Sequence, residues 1–323
     1  MRKRATVTGA SGFVGANLVR RLLEAGHDVH VLLRPGYQPW RLQEILPQLR
    51  VDVLELSNAE KVRAAIAGAR PDWIFHLAAY GAYADQTDVD RMVATNITAT
   101  VNLVRACVAV GFESLVNIGS SSEYGFKDHA PSEDEALEPN SDYAVTKASA
   151  TLYCRSTALR LKVPITTLRL YSVYGPWEQP TRLIPTLLIR GLDGRWPPLV
   201  DPAVARDFVF TEDVIDACLM AAERSGSSPG AIYNIGTGRQ TTLGEVVGVV
   251  KELLAIGDEP SWGSMPRRVW DTTSWVADNR RAVAALDWRP DRSLRAGLTA
   301  TLEWLQQRPD RLRWYRECLG SRP

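Results

Sequence analysis

Short β-branched runs alternate with longer amphipathic stretches through the first half of the chain. The runs Ala5–Thr8, Asp28–Leu33, Val51–Glu55, Trp73–Leu77, Ser114–Ile118 and Pro164–Leu170 predict strands, because strands covered on both faces read as near-continuous apolar segments. Between them, Val14–Ala25 carries Val14, Leu18, Leu22 and Leu23 on one helical face, and Ala59–Ala67, Asp88–Val110 and Ser141–Leu161 predict helices on the same grounds. Strand and helix in turn predict an α/β fold, a doubly wound parallel sheet of six strands assembled from βαβ units. After Gly175, prolines at 176, 180, 185, 197, 198 and 202 break the long periodicity. A second, smaller α/β region is expected from there. In it, Arg206–Phe210 then Thr211–Glu223, and Ala231–Ile235 then Leu243–Leu254, read as strand followed by helix. The expected division is 1–175, with return segments near 206–235, and mainly 176–323 for a discontinuous second domain.

Composition narrows the field. With 323 residues and 45% hydrophobic positions the chain can bury a large core, and 38 basic against 37 acidic residues leave no global field to draw it to nucleic acid or an anionic membrane. No apolar run reaches the roughly 18–20 residues of a membrane span, and Met1-Arg2-Lys3-Arg4 leads into a strand without a signal-peptide pattern. A cytoplasmic protein is expected. Cys107, Cys154, Cys218 and Cys318 form no CxxC, and the four histidines are scattered, so no metal site is expected.

Gly9, Gly12 and Gly15 in Gly9-Ala10-Ser11-Gly12-Phe13-Val14-Gly15 follow a strand and open a helix. In that context the first glycine allows a tight turn, the second lets a pyrophosphate approach the backbone, and the third lets helix and strand pack closely. An acidic residue after the second strand would bind the ribose hydroxyl of NAD. Here the chain reads Leu33-Arg34-Pro35, so Arg34 favours the 2′-phosphate of NADP, with NAD as the alternative.

Tyr143 and Lys147 lie four apart on a helix and so share a face. An ammonium beside a phenol favours the phenolate and brings its pKa toward the range of general acid–base work. The serine run Ser120-Ser121-Ser122, followed by Glu123-Tyr124-Gly125, sits just past the C-terminal end of a strand, where parallel sheets bind ligands. Of the ten tryptophans, Trp177, Trp196, Trp262, Trp270 and Trp275 fall in the second region, where packing is the expected role.

Taken in order, TGASGFVG, HLAA (His76–Ala79), NITATVNL (Asn96–Leu103), GSSSEYG, YAVTK, LRLYSVYGP (Leu168–Pro176), RDFVFTEDV (Arg206–Val214), YNIGTG (Tyr233–Gly238), RVWDTTSWVAD and LDWRP resemble the extended short-chain dehydrogenase/reductases of the nucleotide-sugar epimerase/dehydratase/reductase type, from about residue 4 to 305. The resemblance implies a Rossmann fold. It makes Ser120 the catalytic hydroxyl, Tyr143 the acid–base and Lys147 the ribose-binding lysine. Around the cofactor it places Ser11, Phe13, Val14, Leu56, Leu77, Ala78, Ala79, Tyr171 and Val173, and around the substrate Tyr80, Ser121, Ser122, Ser172, Arg182, Arg206 and Arg268. Asn96 is assigned to helix geometry behind the cleft.

Departures from the pattern choose among reactions. The family's 4,6-dehydratases carry a carboxylate two residues after the catalytic hydroxyl, where this chain has Ser122, and Glu123 one place later is expected to point elsewhere. Ser172 replaces an asparagine, and Arg268-Val269-Trp270-Asp271 replaces RPGD. The expected activity is reduction of the 4-keto carbon of a nucleotide-diphosphate sugar. A 4-epimerase with retained NAD is the alternative, with a 4,6-dehydratase or a non-catalytic cofactor-binding protein behind it. The resemblance also implies a homodimer through the helices holding Asn96–Ala109 and Tyr143–Leu159.

Overall fold

The computed structural model describes residues 1–266 and 272–320. The first half runs β1 (Arg4–Thr8), α1 (Phe13–Glu24), β2 (Asp28–Leu33), β3 (Arg50–Val53), α2 (Ala59–Ala69), β4 (Trp73–His76), α3 (Val89–Met92), α4 (Ala99–Val110), β5 (Ser114–Ser120), α5 (Asp142–Leu161) and β6 (Ile165–Leu170). There follow β7 (Ser172–Tyr174), α6 (Leu183–Leu192), β8 (Ala205–Arg206), β9 (Phe208–Phe210), α7 (Thr211–Arg224), β10 (Ile232–Ile235), β11 (Thr241–Thr242), α8 (Leu243–Leu254), α9 (Arg280–Leu286), α10 (Leu294–Gln306) and α11 (Pro309–Gly320).

One sheet has the order β10-β6-β5-β4-β1-β2-β3, and every pairing in it is parallel. The strand order reverses between β1 and β4, so the crevice for a ligand opens there, at the carboxyl ends of the strands. Six strands were expected from the pattern. The seventh, β10, sets Ile232–Ile235 beside Thr167–Leu170, because nothing in a four-residue run says which sheet it will join.

Helices cover both faces of the sheet. Leu18, Val19 and Leu22 of α1 pack with Val214, Ala217 and Cys218 of α7 on one face. On the other, Val62 and Ile66 of α2 meet Leu103 and Cys107 of α4 and Cys154 and Ala158 of α5. Each such fully buried leucine, isoleucine or valine contributes about 1.5–3 kcal/mol by leaving water. A separate core joins α6, α8, α10 and α11 around Ile184, Leu187, Val246, Val250, Leu298 and Tyr315.

The helix expected over Asp88–Val110 is interrupted by a π-helical turn at Val93–Thr98. That turn carries Asn96 inward, where its amide bonds both the N–H and the C=O of Tyr80 (2.9 and 2.8 Å) and Thr146 Oγ1 (2.9 Å). The segment Val89–Val110 also corrects the expectation of no span-like run: it is 22 residues long with an 18-residue window of mean hydropathy 1.4. Its inward residues Leu103, Val104 and Cys107 are spent on the core beneath the sheet.

Candidate functional site

The turn between β1 and α1 has the geometry its glycines predict. Gly9 has φ +69°, and a Cβ on it would lie 2.5 Å from the Leu77 carbonyl carbon and 2.6 Å from Ala78 N. A Cβ on Gly15 would lie 2.3 Å from Gly9 O. Only glycine lets β4, the turn and α1 close on one another. Gly12 N donates to Gly9 O (2.9 Å), and Gly12 caps α1 without a side-chain acceptor. The first N–H groups of α1, at Phe13 and Val14, are therefore left to an external anion, which the helix dipole favours.

Under this turn runs a hydrogen-bond chain that the pattern did not reveal. Ala78 N donates to Thr8 Oγ1 (3.2 Å), which meets His76 Nδ1 (2.7 Å), while His76 Nε2 meets Thr100 Oγ1 (2.8 Å). Thr100 gives its proton to Asn96 O (2.7 Å). His76 Nε2 must then be the donor and Nδ1 the acceptor, a neutral ring. Burial first, and the charge of Lys147 second, push its pKa down to about 3. The chain fixes the backbone of Leu77 and Ala78, both half-buried, with Ala79 exposed beyond them.

Arg34 is exposed just past β2, and Leu56 is half-buried past β3, its carbonyl held by Asn102 Nδ2 (3.0 Å). A residue overlooked in the sequence, Arg41, is 6% exposed and fastens the glycine turn to the far side of the crevice. Its Nη1 donates to Ser11 O (3.2 Å), Nε to Trp177 O (2.7 Å) and Nη2 to Gln179 Oε1 (3.1 Å). Asn17 Nδ2 adds a bond to Pro176 O (2.9 Å).

Ser120 ends β5, and Tyr143 and Lys147 lie in the first two turns of α5, whose start is capped by Ser141 Oγ accepting from Ala144 N (3.2 Å). The three share one place at the carboxyl edge of the sheet. Ser120 hydrogen-bonds Tyr143, which pulls the phenol pKa down, but burial dominates and pushes it up to about 12. The expected lowering by Lys147 is therefore not met. That ammonium donates instead to Ile118 O at 2.5 Å, and burial lowers its own pKa.

Glu123 is fully buried. Its Oε1 accepts from Ser120 N (2.8 Å) and Thr151 Oγ1 (2.9 Å), and its Oε2 from Arg169 Nε (2.8 Å). The carboxylate thus points into the core, away from the crevice. Ser120 Oγ accepts from Ser122 N (3.2 Å), which with Glu123 completes a capping box. The S-x-x-E spacing was the available signal.

On the opposite wall, Trp275 Nε1 donates to Ser121 Oγ (3.1 Å), and the Arg206 guanidinium lies 5.7 Å from the Trp275 ring. Trp275 so joins Ser121 to Arg206 and does more than pack. Trp177 packs as expected, against Trp40 and Trp304. Tyr171, expected at the cofactor, lines a small pocket with Ser121 and Trp275, and its hydroxyl is buried without a partner. Val173 and Ser172 are half-buried in β7, and Ser172 N donates to Asp207 O (2.9 Å). The half-buried Tyr80 ring lies 4.6 Å from the Arg91 guanidinium. Arg182 is exposed beside Tyr83, 5.8 Å from its ring. Arg268, with Trp270, lies outside the described residues. Among the described residues no cluster of His, Cys, Asp and Glu could hold a metal ion.

Residues 5–236 match the model of the NAD dependent epimerase/dehydratase family. The chain is 31% identical over 316 residues to a UDP-glucose 4-epimerase of Mycolicibacterium smegmatis, an alignment covering 94% of this chain and 99% of that one. It is 31% identical over 313 residues to a dTDP-glucose 4,6-dehydratase of Streptomyces griseus, with 92% of each covered. The crystal structure of a UDP-glucuronic acid 4-epimerase from Bacillus cereus, in complex with UDP-glucuronic acid and NAD, matches with a TM-score of 0.81 at 26% identity, over 94% of this chain and 99% of that one.

Proposed function

The chain belongs to the NAD-dependent epimerase/dehydratase family, and from that premise we propose that it transfers hydride at C4 of a nucleotide-diphosphate sugar, as a 4-keto-sugar reductase. The observation that carries this reading is the burial of Glu123 against Arg169, with serines at 121 and 122. Among the described residues at the end of β5 no carboxylate faces the crevice to take a proton from C5, which counts against dehydration, while Ser120, Tyr143 and Lys147 remain for chemistry at C4. The glycine turn fits a dinucleotide pyrophosphate, and the nicotinamide supplies the hydride when bound.

Ser120 holds the C4 oxygen by a hydrogen bond, and Tyr143 moves a proton to or from it. Burial keeps the phenol in its acid form, the form that protonates the new alkoxide. Lys147 anchors the ribose through its ammonium, which Ile118 O holds in place. Tyr80, Ser121, Ser122 and Ser172 line the sugar side, with Arg182, Arg206 and Arg268 on its anionic groups. Residues 1–175 with 206–235 form the cofactor lobe and most of 176–323 the substrate lobe.

Arg34, exposed past β2 with no carboxylate beside it in sequence, supports NADP as the hydride source. The 4-epimerase reading with retained NAD is favoured by the full-length likeness to two 4-epimerases. Denaturing the purified protein and identifying the released nucleotide separates the two: exchangeable NADP supports the reductase, and stoichiometric NAD refutes it in favour of epimerisation. Tyr143→Phe is expected to lower kcat by about 10²–10⁴-fold with little change in cofactor affinity. Undiminished turnover would remove Tyr143 from the chemistry. The homodimer is supported by α5, which exposes Val145, Leu152 and Leu159 (46%, 55% and 58%) at a seven-residue spacing.

A further inference from the structure

Glu178, in the connection between β7 and α6, takes no part in the chemistry above. It is 5% exposed, and its Oε2 is buried without a hydrogen-bond partner. Oε1 lies 3.7 Å from Arg182 Nε, an ion pair too long to be a hydrogen bond. The groups that face the carboxyl are Arg182, the Gly175 N–H, Arg41 from the segment after β2, Tyr174 of β7 and Tyr315 of α11. Tyr315 spends its hydroxyl proton on the Glu178 backbone carbonyl (2.7 Å). All three guanidinium nitrogens of Arg41 already donate to Trp177, Ser11 and Gln179. Among the described residues that face the carboxyl, Arg182 is the cation with room to move: its side chain is 51% exposed, and its charge is felt at Tyr143.

The same guanidinium has a buried acid behind it and, by the assignment above, faces an anionic group of a bound substrate in front. We propose that Glu178 is a positioning residue whose ionisation decides which of them Arg182 serves. Protonated, Glu178 leaves the guanidinium to the substrate; ionised, it draws the guanidinium back into the wall. This rests on the assignment of Arg182 to the substrate side. Burial pushes the Glu178 carboxyl up to about 8, against the pull of Arg182, Gly175 N–H and Arg41, so the exchange falls within the working pH range.

Two measurements on the full chain test this. The first needs no substrate: carbon-13 carboxyl shifts of labelled glutamate are followed against pH, and the Glu178 signal is the one missing in Glu178→Gln. The midpoint is expected well above the ordinary carboxylate range, and higher again in Arg182→Gln. An ordinary midpoint, or one that Arg182→Gln does not move, overturns the proposal. The second is calorimetric binding of UDP-glucose at about pH 6.5 and about pH 9.5, where the parent is expected to lose about tenfold in affinity and Glu178→Gln to lose none. An equal loss in both proteins also overturns it. If UDP-glucose binds neither protein at either pH, the nucleotide-sugar reading suffers, while the carboxyl titration still decides the pairing of Glu178 with Arg182.

Discussion

Glu123→Gln removes a buried carboxylate while keeping its shape, and the structure fixes what that should cost. Three donors, Ser120 N, Thr151 Oγ1 and Arg169 Nε, converge on its two oxygens at 2.8–2.9 Å. A glutamine offers one acceptor oxygen and one amide, so at one of these contacts donor must face donor. Arg169, 1% exposed, loses its counter-charge, with Tyr124 OH (2.7 Å) and Glu133 O (3.3 Å) still accepting from its Nη1. Breaking one half of a buried ion pair costs about 3–5 kcal/mol, or roughly 5–15 °C in Tm for a chain of this size. Differential scanning calorimetry measures this, with turnover assayed well below the transition. Replacing both partners by apolar residues, as in Glu123→Leu with Arg169→Met, should recover much of the loss. A Tm within about 2 °C of the parent, together with lost activity, would place Glu123 in the chemistry and make dehydration a live reaction again.

Gly15→Ala pushes a methyl to 2.3 Å from Gly9 O, where ordinary contact begins at 3.4 Å. A displacement of about 1 Å between the turn and α1 follows, and NADPH affinity measured by fluorescence should fall about 10–100-fold; unchanged affinity would remove this turn as the cofactor cradle. His76 has a folded pKa of about 3 against an ordinary 6.5. Its contribution to stability is whole above 6.5 and is lost as pH falls toward 3, with a slope of up to about 1.4 kcal/mol per pH unit. In urea titrations across that window, His76→Gln should flatten the acid limb, and an identical slope in both proteins would refute the buried neutral ring.

The parts legible in the sequence are those governed by local sterics and spacing. Gly9 and Gly15 are dictated by contacts within the turn and with β4, so the strand–turn–helix context sufficed to place them. Tyr143 and Lys147 share a face because a helix turns every 3.6 residues. What escaped depends on distant partners. Arg41 reads as one more surface cation until Ser11, Trp177 and Gln179 are brought around it. The direction of the Tyr143 shift was misjudged because four-residue spacing shows neighbours but not how deeply the phenol is buried or that Lys147 turns to Ile118 O. Trp275 looked like packing because its partner, Ser121, lies 154 positions away.

β10 gives the molecule an order of assembly. β5 and β6, which carry Ser120 and the floor beside it, belong to a sheet whose last strand is made only after the chain has passed through α6 and α7. Until Ile232–Ile235 is laid down, β6 presents a bare edge of unpaired amides and carbonyls, open to the wrong strand of another molecule. Synthesis of the first lobe alone should therefore yield an aggregation-prone intermediate rather than a smaller working protein.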